Sequence, residues 1–179
     1  VAGDLKAGDA FLTELTPFVW RRYLDYAAIA DVHSIKRQIQ SHRGYNDVHV
    51  PGHNVKLGRG GIREIEFFVQ TQQLIAGGRN PVLRDRRTVE MLDLLAQQSW
   101  IEQETADDLA RSYAFLRDVE HRLQIVSDAQ THSLPEDDDA LLVIALLSGH
   151  ATVDAFGKML LAHLENVESH YAALFASED

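Results

Sequence analysis

Apolar residues recur every three or four positions through most of this chain, and that period decides its fold class before any other feature does. From Thr105 to about Ala129, Leu109, Tyr113, Leu116, Val119 and Leu123 form one stripe. From Val153 to Phe175 the stripe is Phe156, Leu160, Leu164, Val167 and Leu174. Shorter segments of the same kind are Ile62–Ile75, closed by Gly77 and Gly78, Arg84–Gln98, with Val89, Leu92 and Leu95 or Ala96 inward, and Ala140–Leu147 after the break at Pro135. Near the start, Thr16-Pro17 reads as an N-cap followed by proline at the first helical position. Phe18, Val19, Tyr23, Leu24, Ala27 and Ala28 continue that spacing, and the aromatic residues Phe18, Trp20, Tyr23 and Tyr26 read as core. A further helix is expected from Asp31, with Ile35 and Ile39 inward, ending near Ser41.

One region departs from the period. Val48 and Val50 alternate with polar residues, Pro51-Gly52 makes a turn, and Val55 and Leu57 alternate again. The expectation is an all-α multi-helix bundle with one short strand or hairpin near residues 47–57. A single helical domain then covers 1–179, with N-terminal helices over 1–42, a loop with strand character over 43–60, and the bundle over 61–179.

Composition narrows the function. The chain has 179 residues, 45% of them hydrophobic, and a formal net charge of −10. Such an acidic excess argues against nucleic-acid binding, which needs a basic phosphate-facing surface. With no cysteine there is no disulfide, thiolate zinc site or cysteine nucleophile. No apolar run reaches membrane-spanning length. The first residue is Val1, and the chain reads as a piece excised from a larger soluble, cytoplasmic protein.

Residues 55–68, Val-Lys-Leu-Gly-Arg-Gly-Gly-Ile-Arg-Glu-Ile-Glu-Phe-Phe, carry the strongest chemical signal. Glycines at a helix start leave backbone N–H groups uncovered, and the helix dipole adds partial positive charge there. Lys56, Arg59 and Arg63 surround that point with full charges, an arrangement suited to an anion such as phosphate. In the following helix, Arg63, Glu66, Gln70 and Gln73 fall on one polar stripe between apolar flanks, which predicts a buried helix whose polar atoms need partners. A buried structural network and a ligand site are both open readings. Glu120 interrupts the apolar stripe of the long helix and requires a cationic partner, with Arg63 and Arg122 as candidates.

The nine histidines do not form a convincing metal site. His49 and His53 are separated by Pro51-Gly52, and His163 and His170 lie two turns apart on an expected surface helix, so solvated or capping roles fit them better. No nucleophile elbow, Walker loop or strand-borne carboxylate pair is present. Phosphoryl chemistry needs carboxylates that hold metal ions, and none is so arranged.

Four stretches together are diagnostic. They are Thr16-Pro17-Phe18-Val19-Trp20-Arg21-Arg22-Tyr23-Leu24-Asp25-Tyr26, Lys56-Leu57-Gly58-Arg59-Gly60-Gly61-Ile62-Arg63-Glu64-Ile65-Glu66-Phe67, Gln73-Leu74-Ile75-Ala76-Gly77-Gly78-Arg79, and Phe115-Leu116-Arg117-Asp118-Val119-Glu120-His121-Arg122-Leu123-Gln124. In order and content they resemble the glutamine synthetase adenylyltransferase family, with the PII uridylyltransferases as nearest cousins. The resemblance implies a helical region that follows a nucleotidyltransferase core, in the N-terminal, adenylyl-removing half of a bifunctional enzyme. It implies ATP or phosphate and Mg2+ as cofactors of the parent, bound mainly by a domain outside this chain. It also implies glutamine synthetase, the PII signalling protein and adjacent nucleotidyltransferase domains as partners. Lys56, Gly60, Gly61, Arg63, Glu64 and Glu66 are the positions implied to face the active site. The chain alone is expected to catalyse nothing. A second reading is a spacer and docking module for glutamine synthetase or PII, using Arg84, Arg86 and Arg87 and the acidic C-terminal half.

Overall fold

The computed structural model of the chain describes residues 3–22, Asp31, Ser34 and 49–176. Among them are six α-helices and no strand: α1 (Leu5–Val19), α2 (Ile62–Ala76), α3 (Thr88–Gln97), α4 (Gln103–Ser127), α5 (Asp138–Leu147) and α6 (Val153–Ala176). A 3-10 turn, Pro81–Arg84, links α2 to α3. The all-α bundle is as the apolar period requires.

The long helices α4 and α6 pack together, α2 lies across both, α3 covers α2 and α4, and α5 closes one end. Most of the expected stripe residues form the core; Tyr113 is only partly buried, Val89 is exposed rather than inward, and the Leu174 side chain lies outside the described residues. Leu109, Leu116, Val119 and Leu123 of α4 meet Phe156, Leu160, Leu164 and Val167 of α6 in one cluster with Ile62, Ile65, Phe68 and Val69 of α2. Burying each such side chain contributes about 1.5–3 kcal/mol.

Several local expectations give way to tertiary structure. The Thr16-Pro17 pair does not start a helix. Asp4 is the N-cap, accepting from the backbone N–H groups of Lys6 and Ala7 at 2.9 and 3.2 Å, and Pro17 lies in the last turn of α1. A proline so close to the end removes one amide bond without a following turn to break. Nothing in α1 is buried, and Phe18 is exposed rather than core. Trp20 instead packs on Gly77, with the Arg84 guanidinium 5.6 Å from its ring centre. The helix expected after Asp31, and Tyr23 and Tyr26, lie outside the described residues apart from Asp31 and Ser34.

The helix expected at Arg84 begins at Thr88. Asp85 accepts from the N–H groups of Arg86 and Arg87 at 2.6 and 3.1 Å and makes a turn there. Its carboxyl is held near a pKa of about 2, chiefly by a hydrogen bond from the Arg87 side chain. Nor is there a hairpin within residues 49–57. The β-like pairing is an isolated antiparallel bridge from Asn54 to Ser133, reinforced by Val55 N–H to His132 O (2.9 Å) and Leu134 N–H to His53 O (2.9 Å).

Candidate functional site

The glycine-rich loop folds back on itself before α2. Asn54 accepts from the N–H groups of Lys56 (3.1 Å) and Leu57 (2.7 Å), a side-chain turn that starts the reversal. Gly60 then takes a left-handed φ of +72°, and a Cβ there would lie 2.3 Å from the Leu164 carbonyl of α6. Only glycine tolerates both the conformation and that approach.

This reversal alters the anion reading. The amides at the start of α2 are not open. Gly61 N–H donates to Gly58 O, Ile62 N–H to Val55 O and Arg63 N–H to Lys56 O, each at 3.0 Å, and Glu64 N–H donates to Gly61 O at 2.9 Å. The loop's own carbonyls satisfy the donors that a helix start otherwise leaves free. What remains available to an anion is side-chain charge.

The six residues implied to face an active site separate into two groups. Gly60, Gly61 and Glu64 are buried, and Glu64 is only 3% exposed. Tyr171 lies close enough to be affected: burial, and then the negative charge of Glu64, raise its phenol above the ordinary value. Lys56, Arg63 and Glu66 reach toward solvent, with side chains 26%, 50% and 20% exposed. Arg63 pairs with Glu66 at 3.3 Å, and Arg59, beside them, pairs with Glu168 of α6. The stripe of α2 is therefore split. Arg63, Glu66 and Gln70 face outward, whereas Gln73 is buried and donates to Leu83 O and Asp85 O, both at 2.8 Å.

Glu120 is 1% exposed and does not pair with Arg63 or Arg122. Arg122 binds Asp118 at 3.5 Å and the Leu147 carbonyl at 2.7 Å. The partners of Glu120 are Arg117, whose Nη1 donates to Oε2 at 2.6 Å, Lys56, whose Nζ lies 3.2 Å from Oε1, and His132, whose Nδ1 lies 2.9 Å from Oε1. The contacts at Oε1 are not aligned as hydrogen bonds, and the charge that faces that oxygen is the Lys56 ammonium. Arg117 was legible in the sequence, three residues before Glu120 on the same helix face. His132 was not, because a loop delivers it from beyond the end of α4.

Behind the loop, His53 is 3% exposed, against Gly58. Burial first, then His49, lowers its pKa to about 4, and a backbone hydrogen bond with Arg59 acts in the opposite sense. His163 and His170 are not on a free surface. The His163 ring stacks on Phe115 at 4.3 Å and its Nδ1 lies 3.0 Å from Ser112 Oγ, while His170 Nε2 lies 3.0 Å from Asp108 Oδ2. Both tie α6 to α4.

The basic residues around the 3-10 turn are mostly engaged. Arg87 pairs with Asp85 and Glu90, each at 3.0 Å, and Arg84 donates to Gly77 O at 2.7 Å. Arg86 helps to line a cleft of about 460 Å³ between α1 and α2, together with Leu12, Leu15, Trp20 and Gln70. Among the described residues, no group of three or more histidine, aspartate or glutamate side chains is arranged to hold a metal ion, and no helix is long and apolar enough to cross a membrane.

Comparison with known proteins agrees with the motifs. The family model described as GlnD PII-uridylyltransferase matches residues 33–175. The chain is 64% identical over 175 residues to the bifunctional glutamine synthetase adenylyltransferase/adenylyl-removing enzyme of Mesorhizobium japonicum, covering 98% of this chain and 18% of that protein. The protein of the same name from Brucella suis is 62% identical over 176 residues, again 98% of this chain and 18% of the relative. That of Rhizobium meliloti is 60% identical over 178 residues, 99% of this chain and 18% of the relative. The chain thus spans less than a fifth of the length of the curated relatives it matches. Its motifs, its helical fold and these matches make it a member of the GlnD PII-uridylyltransferase family, on the branch whose relatives are named bifunctional glutamine synthetase adenylyltransferase/adenylyl-removing enzymes.

Proposed function

We propose that the chain is the helical portion of a bifunctional glutamine synthetase adenylyltransferase/adenylyl-removing enzyme, and that it supports a nucleotidyltransferase core in the same polypeptide. The observation that carries this is the identity of 60–64% across nearly the whole chain to relatives of that name. In this reading the parent acts on glutamine synthetase in a cytoplasmic setting, and PII protein sets the direction of the reaction.

Within it, the loop and the start of α2 form the edge turned toward the core. Lys56, Arg63 and Glu66 supply charge at that edge. Gly60, Gly61 and Glu64 act from inside, by letting the loop approach α6 closely and by fixing the helix start. The described residues do not fit a magnesium or nucleotide site of their own. The α2 amides are bonded within the loop, and the carboxylate of Glu120 is already faced by Lys56, Arg117 and His132. ATP, phosphate and Mg2+ are therefore assigned to the preceding domain.

The test is the full-length polypeptide, purified and incubated with adenylylated glutamine synthetase and inorganic phosphate. Release of AMP as ADP, with return of the unmodified tyrosine, is the expected result. Absence of both this activity and the forward transfer from ATP would overturn the assignment.

A further inference from the structure

Helix α5 is apolar all the way round. After Asp138 and Asp139, its eight residues Ala140–Leu147 carry no polar side chain. A helix of that composition is ordinarily buried on all sides. Here only one side is covered: Leu141, Ile144 and Ala145 enter the core. Leu142, Val143, Leu146 and Leu147 face outward at 36%, 44%, 57% and 50% exposure. They lie at i, i+1, i+4 and i+5, the spacing of a helix-packing seam.

The patch continues onto the end of α4. Arg122 bonds to the carbonyl of Leu147, and one turn further on Ile125 and Val126 are 77% and 48% exposed. The flanking segments are mostly acidic, although Arg122, paired with Asp118, sits at the patch itself and Asp154 is paired with Lys158 at 2.8 Å. Between Arg122 and Lys158 there is no lysine or arginine, while Asp128, Glu136, Asp137, Asp138, Asp139 and Asp154 are all acidic.

We propose that this face is permanently covered by an amphipathic helix from another part of the same polypeptide, apolar at its centre and rimmed with lysine or arginine. Charge complementarity sets the rim, since an acidic border favours a basic one and repels another acidic surface. The apolar character sets the permanence. Surfaces that meet partners transiently are no more apolar than the rest of a protein, whereas permanently covered ones resemble a divided core. The length of the relatives leaves more than four-fifths of their chain outside this one, enough to supply the helix. The inference rests on reading the chain as one portion of a longer polypeptide. Its readouts do not involve activity, so either can fail without the other.

Two measurements on the full-length polypeptide test it. A photo-cross-linking amino acid replaces Val143, and the products are mapped by mass spectrometry. The expected product is an intramolecular cross-link, independent of protein concentration, to a helix flanked by lysine or arginine. A cross-link between two copies, one formed only with a separate protein, or none would each overturn the proposal. In parallel, Val143→Lys with Leu146→Lys should lower the melting temperature by roughly 5 °C or more, since two ammonium groups would be forced into a covered apolar seam. On an open surface the same lysines are solvated, and an unchanged or raised melting temperature contradicts the covering.

Discussion

Removing the Glu120 carboxylate should destabilise the fold by an amount that its neighbours determine. Glu120 is 1% exposed, and three groups depend on it: Arg117 at 2.6 Å, His132 at 2.9 Å and Lys56 at 3.2 Å. Breaking a buried ion pair from one side costs about 3–5 kcal/mol because the abandoned charge has nowhere to go. In Glu120→Ala the abandoned groups are the Lys56 and Arg117 side chains, which are 26% and 35% exposed and regain water. The cost should therefore sit at the lower bound, about 3 kcal/mol. Glu120→Gln keeps the volume and loses the charge that strengthens its bond from Arg117, for about 2 kcal/mol. Arg117→Met removes the one aligned charged hydrogen bond, worth about 1.5–3 kcal/mol. Lys56→Met removes an unaligned, partly solvated contact and should cost about 1 kcal/mol. Denaturant unfolding of the four variants measures these costs directly, with Lys56→Met expected to be the smallest. The double variant Glu120→Gln with Arg117→Met should show a coupling of at least about 1 kcal/mol. A Glu120→Gln protein within about 0.5 kcal/mol of the parent would refute the reasoning, because a carboxylate so buried cannot be neutral in effect if it compensates two cations.

Other outcomes follow from the same geometry. Gly60→Ala combines φ +72° with a Cβ 2.3 Å from Leu164 O, whereas Gly149→Ala has φ +83° and open space around it. The first should cost about 3 kcal/mol or more and the second about 1 kcal/mol, as thermal unfolding will read. His53 binds a proton near pH 6.5 when unfolded but only near about 4 when folded. Between those values the unfolded state holds more protons, so stability is full above pH 6.5 and falls as pH drops toward 4. At about 1.4 kcal/mol per pH unit the loss is about 3 kcal/mol, and His53→Phe should remove that part of the slope in urea titrations at stepped pH. Arg63→Ala breaks only a half-exposed pair with Glu66, so its stability should change by less than about 1 kcal/mol by calorimetry.

The sequence made the long elements legible because several signals agreed at each. Glycines bracket α2, so the expected Ile62–Ile75 lies within one residue of the observed helix. A long apolar stripe, interrupted in α4 only by Glu120, located α4 and α6 to within a few residues. Where one local signal stood alone, it failed. Thr16-Pro17 has the residues of a helix start, yet the Asp4 cap set α1 running first. The alternation around Val55 suggested a short strand or hairpin, but the pairing is a single bridge from Asn54 to Ser133, far along the chain. The same distance hid His132 from Glu120. The glycines correctly marked a special helix start, but their physical role differs from the one their composition suggested. They allow the loop to turn its carbonyls onto the α2 amides, so the residues left to act outward are the charged ones.

The central claim is that those outward charges, Lys56, Arg63 and Glu66, face the catalytic core. Its most direct test is Arg63→Ala with Glu66→Ala in the full-length enzyme, comparing AMP removal from adenylylated glutamine synthetase with the melting temperature. The account predicts at least a tenfold fall in rate, about 1.4 kcal/mol of lost transition-state stabilisation, with the melting temperature within about 2 °C of the parent. Unchanged turnover at an unchanged melting temperature would contradict it and leave the start of α2 as scaffold alone.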